Sequence, residues 1–208
     1  LGGSLALPGP RRLGGSLALP GPRRLGGSLA LPSRPRVYLG AGWRAKKNGV
    51  ATAMAFRRLA ERVPGVRGVV FAEEPEAEAA AYARWGVEGV AVRAVCGQQR
   101  LWAAVAGYGV ALHLDYRRTI GRFAGECAAL GVPCVATAGA TMQRACFPGL
   151  MVEPWDVEGA AALAARLLAD GVFRQRAVGA AARAIERYAL EPMARRFRAA
   201  LGRLEVSP

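Results

Sequence analysis

Lysine is nearly absent from this 208-residue chain: Lys46 and Lys47 stand side by side, and every other basic position is arginine. Acids are also scarce, 15 Asp and Glu against 29 Lys and Arg, which leaves a formal charge of +14. There is one histidine, His113, and none of the four cysteines, Cys96, Cys127, Cys134 and Cys146, falls in a C-x-x-C pair, so structural-zinc spacing is missing. The cysteines read as buried reduced thiols, which suits a cytoplasmic protein. No apolar run approaches the roughly 18 residues that a membrane-spanning helix needs. No acidic metal motif occurs, so no metal is expected. Asp115 in LHLDY is solitary and reads as structural, and His113 reads as a packed strand residue because nothing pairs with it by spacing.

What is plentiful is Ala, Gly, Val, Leu, Pro and Arg, the set that a GC-rich coding bias produces by itself. Clustered cations draw in phosphates by releasing counterions, so the charge raises nucleic acid or an acidic membrane surface as a partner, the membrane surface with no further feature to indicate it. Composition accounts for much of the arginine, however, and that reading is disfavoured. The charge is also uneven. The first thirty-six residues are a repeat, LGGSLALPGPRR twice and then LGGSLALPSRPR, with six arginines and no acid; without them 23 basic residues face 15 acids, a formal +8. Each unit joins a Gly-Gly-Ser break, a short apolar piece and a Pro-rich basic end, which suits neither a stable helix nor a signal-peptide core. We expect a disordered low-complexity segment over 1–35 and a folded domain over 36–208; the other reading of the repeat is a basic tether through Arg11, Arg12, Arg23 and Arg24. The chain opens on leucine rather than methionine, so further sequence is expected upstream.

From Arg36 onward apolar runs alternate with helix-period stretches. RVYLGAG, GVRGVVFAE, GVAVRAVC, VALHLDY, PCVATAG and GLMVEP read as strands. Between them lie VATAMAFRRLAERV, with Phe56, Leu59, Ala60 and Val63 on one face, then EPEAEAAAYARW, QQRLWAAVAGY and IGRFAGECAAL as helices. Two long helices close the chain, one striped with Leu163, Ala164, Leu167 and Leu168, the other with Met193, Phe197 and Leu201. Core packing is expected of Trp85, Trp102 and Trp155. Strand and helix in alternation predict an α/β fold, a doubly wound parallel sheet of Rossmann-like type with helices on both faces. Ligands of such sheets sit beyond the carboxyl ends of the strands, where loops lead into helix N-termini.

WRAKKNG, residues 43–49, is one of those loops. Arg44, Lys46 and Lys47 supply charge there, and the amides of the next helix supply donors, a combination suited to a diphosphate. The bland alternative is a solvated cationic turn. Gly40, Gly42 and Ala45 also outline G-x-G-x-x-A, with Glu73 after the next strand, which keeps an NAD-type domain as a weaker reading. In RTIGRFAGECAALGVPCVATAG, residues 118–139, Gly121 opens a helix, Glu126 lies a little over one turn inside it, and Gly131-Val132-Pro133 ends it. A carboxylate so placed can accept from two adjacent ribose hydroxyls. An ion pair with Arg122 at i, i+4 is the alternative, worth a few tenths of a kcal/mol.

GECAALGVPCVATAGATMQRACFPGLMVEPWDVEGAAALAARLL, residues 125–168, resembles the C-terminal, donor-binding domain of retaining glycosyltransferases of the GT-B fold, of the group 1 or family 4 kind. Their pattern is E-A-x-A-x-G-x-P-V-V-A, a Gly-rich loop, G-x-L-V-x-P-x-D and an Ala- and Leu-rich helix. WRAKKNGVATAMAF resembles their R-x-x-x-K-G loop and helix, AVCGQQRLWAAV their segment beside the nucleobase, and RYALEPMARRFRAAL their end helix. The likeness runs in order over roughly residues 36–204. It implies Arg44 and Lys47 as the main contacts and electrostatic stabilisers of the leaving diphosphate, with Lys46 as a substitute. It further implies Glu126 on ribose, Gly121 with its backbone near the phosphates, and Cys96 and Gly97 near the base through main-chain groups. No cofactor is implied beyond the nucleotide-diphosphate sugar, which is the donor substrate, and the acceptor would be a sugar or glycan. One departure is Arg118, where the family carries the first of two glutamates, so either sugar recognition differs, with Arg118 facing phosphate or solvent, or transfer is impaired. The other is the missing N-terminal Rossmann-like half, whose place holds the repeat. The expectation is a fragment or a half that needs a partner chain, with a catalytically silent nucleotide-binding module as the alternative.

Overall fold

The computed structural model describes residues 35–40, 42 and 47–204. The repeat up to residue 34, and Trp43, Arg44 and Lys46 of the charged loop, lie outside the described residues. Six strands, β1 (Arg36–Leu39), β2 (Arg67–Ala72), β3 (Val90–Ala94), β4 (Val110–His113), β5 (Cys134–Thr137) and β6 (Met151–Val152), form one parallel sheet in the order β3-β2-β1-β4-β5-β6. This is the doubly wound α/β arrangement expected from the alternation. Central strands are buried on both faces, so β5 (CVAT) reads as an unbroken small apolar run; β3, at the edge, carries Arg93 into solvent.

The connections from β1 to β2 to β3 run one way across the sheet and those from β4 to β5 to β6 the other. Right-handed crossovers therefore place α1 (Gly49–Arg62) and α2 (Pro75–Arg84) on one face, and α3 (Gln98–Val105), α4 (Arg122–Leu130) and α5 (Thr141–Cys146) on the opposite one. α6 (Val157–Ala169) returns to pack on α1, and α7 (Gly171–Ile185) packs on α4 and α5. Phe56 and Leu59 of α1 and Leu167 of α6 are fully buried in the core between helix and sheet.

Several expectations need correction. Three helices, not two, end the chain: Asp170 breaks the run by accepting from the Phe173 amide at 2.8 Å, capping α7 separately from α6. α5 is a helix additional to those the periodicity predicts, and β6 is two residues long because a 3₁₀ turn at Pro148–Leu150 takes the start of the expected strand. On α8 (Leu190–Leu204) the stripe is not core, with Met193 49% and Phe197 65% exposed. Trp85 and Trp155 are likewise exposed, and Cys96 is half-buried while Cys127, Cys134 and Cys146 are buried free thiols. Among the described residues no helix is long and apolar enough to cross a membrane.

Candidate functional site

The sheet reverses its direction of winding between β1 and β4, and a crevice opens there because the two following chains leave on opposite faces. The Gly40 amide still donates to the Leu112 carbonyl at 3.0 Å. A Cβ on Gly40 would lie 2.4 Å from the Phe123 ring and 2.8 Å from His113 Nδ1, so only glycine lets β1 leave the sheet this close to β4 and α4. One residue past β4, Leu114 is bonded by side chains of α1 and of the residue before it rather than by a strand. Thr52 Oγ1 accepts its amide at 3.0 Å, and Asn48 Nδ2 donates to its carbonyl at 2.9 Å. The same Asn48 amide donates to the Pro154 carbonyl at 2.7 Å. Asn48 thus joins the loops after β1, β4 and β6. It is 4% exposed and sits in the left-handed region, φ 53°, alone among the described non-glycine residues.

Lys47 is half-buried next to Asn48, at the N-terminus of α1. α1 opens at Gly49, four residues beyond the end of the G-x-G-x-x-A outline, whereas the NAD-type reading has that outline run straight into a helix. Glu73 is exposed just beyond β2.

Across the crevice, α4 begins after Gly121, whose φ of 77° places it in the left-handed region. A Cβ there would meet the Ala140 Cβ at 2.6 Å, and one on Gly139 would meet the Arg117 carbonyl at 2.6 Å. The loops after β4 and β5 close on each other through these glycines and prolong the sheet: the Thr119 amide donates to Gly139 at 3.2 Å and the Thr141 amide to Thr119 at 3.0 Å. Glu126, with 20% of its side chain exposed, accepts from Gln98 Nε2 at 3.2 Å and pairs with Arg122 Nε at 3.3 Å. Gln98 opens α3 directly after Cys96 and Gly97. The structure therefore brings the expected base segment and the expected ribose acid together, and stands Gly121 at the head of the same helix as that acid. Arg118, three residues before Gly121, lines a pocket together with Arg144. Among the described residues no three His, Cys, Asp or Glu side chains come close enough to share a metal ion.

The residues that composition and spacing did not single out are Asn48 and Thr52. They fall at i and i+4 on the stripe that continues to Phe56 and Leu59, and a polar pair on an apolar helix face is the available signal.

Asp115 supports the crevice from below. It is 6% exposed, and its carboxylate takes Arg117 Nε at 3.0 Å and Nη2 at 2.7 Å, while His113 Nε2 stands 3.6 Å away. Burial by itself would raise its pKa; the neighbouring His113 and the hydrogen bonds from Arg117 outweigh burial and hold the carboxyl well below the usual carboxylate range. A depressed folded value stabilises the fold above the unfolded value and is lost as pH falls toward the folded one. Asp115→Asn should therefore cost about 1–3 kcal/mol at neutral pH. In urea unfolding at a series of pH values, that deficit stays constant from pH 7 down to about 5 and narrows below about pH 4.

No protein-family model matches the chain, and no curated protein matches it by sequence. Solved structures do match. A UDP-forming trehalose-phosphate synthase of Burkholderia vietnamiensis superposes with TM-score 0.68 at 18% identity, over 85% of this chain and 46% of that one. A TarM variant of S. aureus, solved in complex with ligands that include UDP, gives 0.64 at 12% identity over 81% and 37%. The catalytic domain of the cholesterol-alpha-glucosyltransferase of Helicobacter pylori gives 0.62 at 16% identity, over 75% of this chain and 99% of that one. At such identities the shared property is the fold, a Rossmann-like parallel α/β sheet. The chain spans less than half the length of the first two proteins.

Proposed function

We propose that this chain is the donor-binding domain of a glycosyltransferase that moves a sugar from a nucleotide-diphosphate sugar to a sugar or glycan acceptor, working with a separate N-terminal Rossmann-like half. The observation that carries the reading is the convergence at the sheet's reversal point. Lys47 just before α1, the head of α4 at Gly121 and the Gln98–Glu126 contact beside Cys96 and Gly97 all lie at the carboxyl edge of the sheet. There the first amides of two helices and the lysine- and arginine-bearing loop offer donors and charge to a diphosphate, and the Glu126 carboxylate offers acceptors to a pentose. In transfer, Arg44 and Lys47 hold the charge that develops on the departing nucleoside diphosphate, with Lys46 in reserve. The described neighbours support the reading by what they contain: one forms UDP and another was solved with UDP. The donor needs no further cofactor for this role.

Arg118 favours a second reading, a module that binds the nucleotide sugar without transfer, because a cation stands where the resembling family has an acid. Calorimetry with UDP, GDP and ADP tests the shared core of both readings. Saturable heat with at least one of them is expected, and no heat with any of the three contradicts both. Release of free sugar from the bound nucleotide sugar then separates the enzyme from the silent module.

A further inference from the structure

We propose that the pocket between the loops after β4 and β5 is a subsite for an anionic group, a carboxylate or phosphate carried either by the sugar being transferred or by its acceptor. The assignment of that group to donor or acceptor rests on the function proposed above; the pocket's preference for anions does not.

The pocket is an open depression of about 600 Å³, lined by Arg118, Thr119, Gly139, Thr141 and Arg144, among others, with no carboxylate in its wall. That volume suits a monosaccharide with a substituent. Its two guanidinium groups are not neutralised. Arg144 donates to the Ala138 carbonyl and, at 3.2 Å, to Thr141 Oγ1, both uncharged acceptors that fix its direction and leave its charge in place. Arg118 makes no ion pair among the described residues, whereas its neighbours do: Arg117 is taken up by Asp115 and Arg122 by Glu126. Two guanidinium forks, that of Arg144 held in direction, beside two threonine hydroxyls match the several acceptor lone pairs of a carboxylate or phosphate better than they match neutral hydroxyls.

The frame is rigid where it matters. The Thr119 amide bonds Gly139, the Thr141 amide bonds Thr119 and the Met142 amide bonds Ile120 at 2.9 Å, so the two arginine-bearing loops are laced together. Gly139 and Gly121 allow the close approach, since a Cβ on either would collide at 2.6 Å with the opposite loop. Arg118 also belongs to the loop that ends at Gly121, which places the pocket next to the proposed diphosphate position and outside it. A substituent beyond the sugar–phosphate link would reach it.

Calorimetric titration of the full chain with two matched pairs tests this: UDP-glucuronate against UDP-glucose, and glucose 6-phosphate against glucose. The variants are Arg118→Ala/Arg144→Ala and, as a charge control at the opposite end of α2, Arg84→Ala. The acidic member of at least one pair should bind the wild type about tenfold tighter or more. That preference should vanish in the double variant, persist in the control, and leave the affinity for UDP itself unchanged. Preference in the first pair places the anion on the transferred sugar; preference in the second places it on the acceptor. The proposal is overturned if neither pair is discriminated, if the preference survives the double variant, or if UDP affinity falls with it. Anion preference in the second pair without any UDP binding would uphold the pocket and remove the donor reading instead.

Discussion

Asn48→Ala is expected to destabilise the domain by about 2–4 kcal/mol, because it strips two hydrogen bonds from carbonyls around the crevice and puts a Cβ-bearing residue without a compensating side chain into a left-handed conformation. Both amide hydrogens of Asn48 are used, one on Leu114 and one on Pro154. Leu114 is fully buried, so water cannot replace the lost donor without opening the loops. Asn48→Gly separates the two contributions: it removes the same hydrogen bonds but relieves the backbone, so it should recover about 1 kcal/mol of the alanine penalty. Urea unfolding measures all three proteins, and equal stability of wild type and Asn48→Ala would show that the three loops are held by other means. Because the same residue sets the position of Lys47 and the head of α1, both variants should also weaken nucleotide binding beyond what their unfolded fraction explains.

The second large effect concerns charge rather than packing. In Arg44→Glu/Lys47→Glu two cations at the proposed diphosphate position become anions. Hydrogen bonds to charged groups contribute about 1.5–3 kcal/mol each, so losing two and adding repulsion should weaken nucleoside diphosphate binding by at least about 100-fold. The affinity for the nucleoside without phosphates should change little, and that contrast assigns the effect to the phosphates. An unchanged diphosphate affinity in this variant would place the ligand elsewhere on the molecule.

Much of the fold was legible because strand and helix leave different periods. β1, β2, β4 and β5 are short apolar runs bounded by Gly, Pro or charge, and α1 repeats its large residues at helical spacing. Gly131-Val132-Pro133 stopped α4 as its chemistry predicts, with Gly131 at φ 71° and its amide bonded to Ala128 and Cys127. α5 escaped because six residues give less than two turns of pattern, and one of its two buried residues is the polar Gln143, which holds the Cys134 and Leu150 carbonyls. α7 escaped because its buried contacts are few, Val178 and Ala181, so no large apolar stripe marks it off from its neighbours. In the candidate site, the sequence pointed to Glu126, Cys96 and Gly97 separately; that Gln98 joins them is a long-range contact with no local signature. In sequence, Asn48-Gly49 is a turn dipeptide and signals nothing more. Asn48 is the only asparagine in the chain, and its use as a two-carbonyl clamp follows from the reversal of the sheet, which supplies carbonyls at Leu114 and Pro154 that no strand can pair. Arg118 was conspicuous in sequence only as the wrong charge, and its pairing with Arg144 in one pocket depends on the two glycines that let their loops meet.

The central claim is that a nucleoside diphosphate occupies the crevice between β1 and β4, and amide-resolved NMR titration with UDP, GDP and ADP addresses it at the level of single residues. The account predicts shifts that saturate with at least one of the three and concentrate on residues 47–52, 96–98 and 119–126. Saturable shifts confined to other parts of the chain, or none with any of the three, would contradict it.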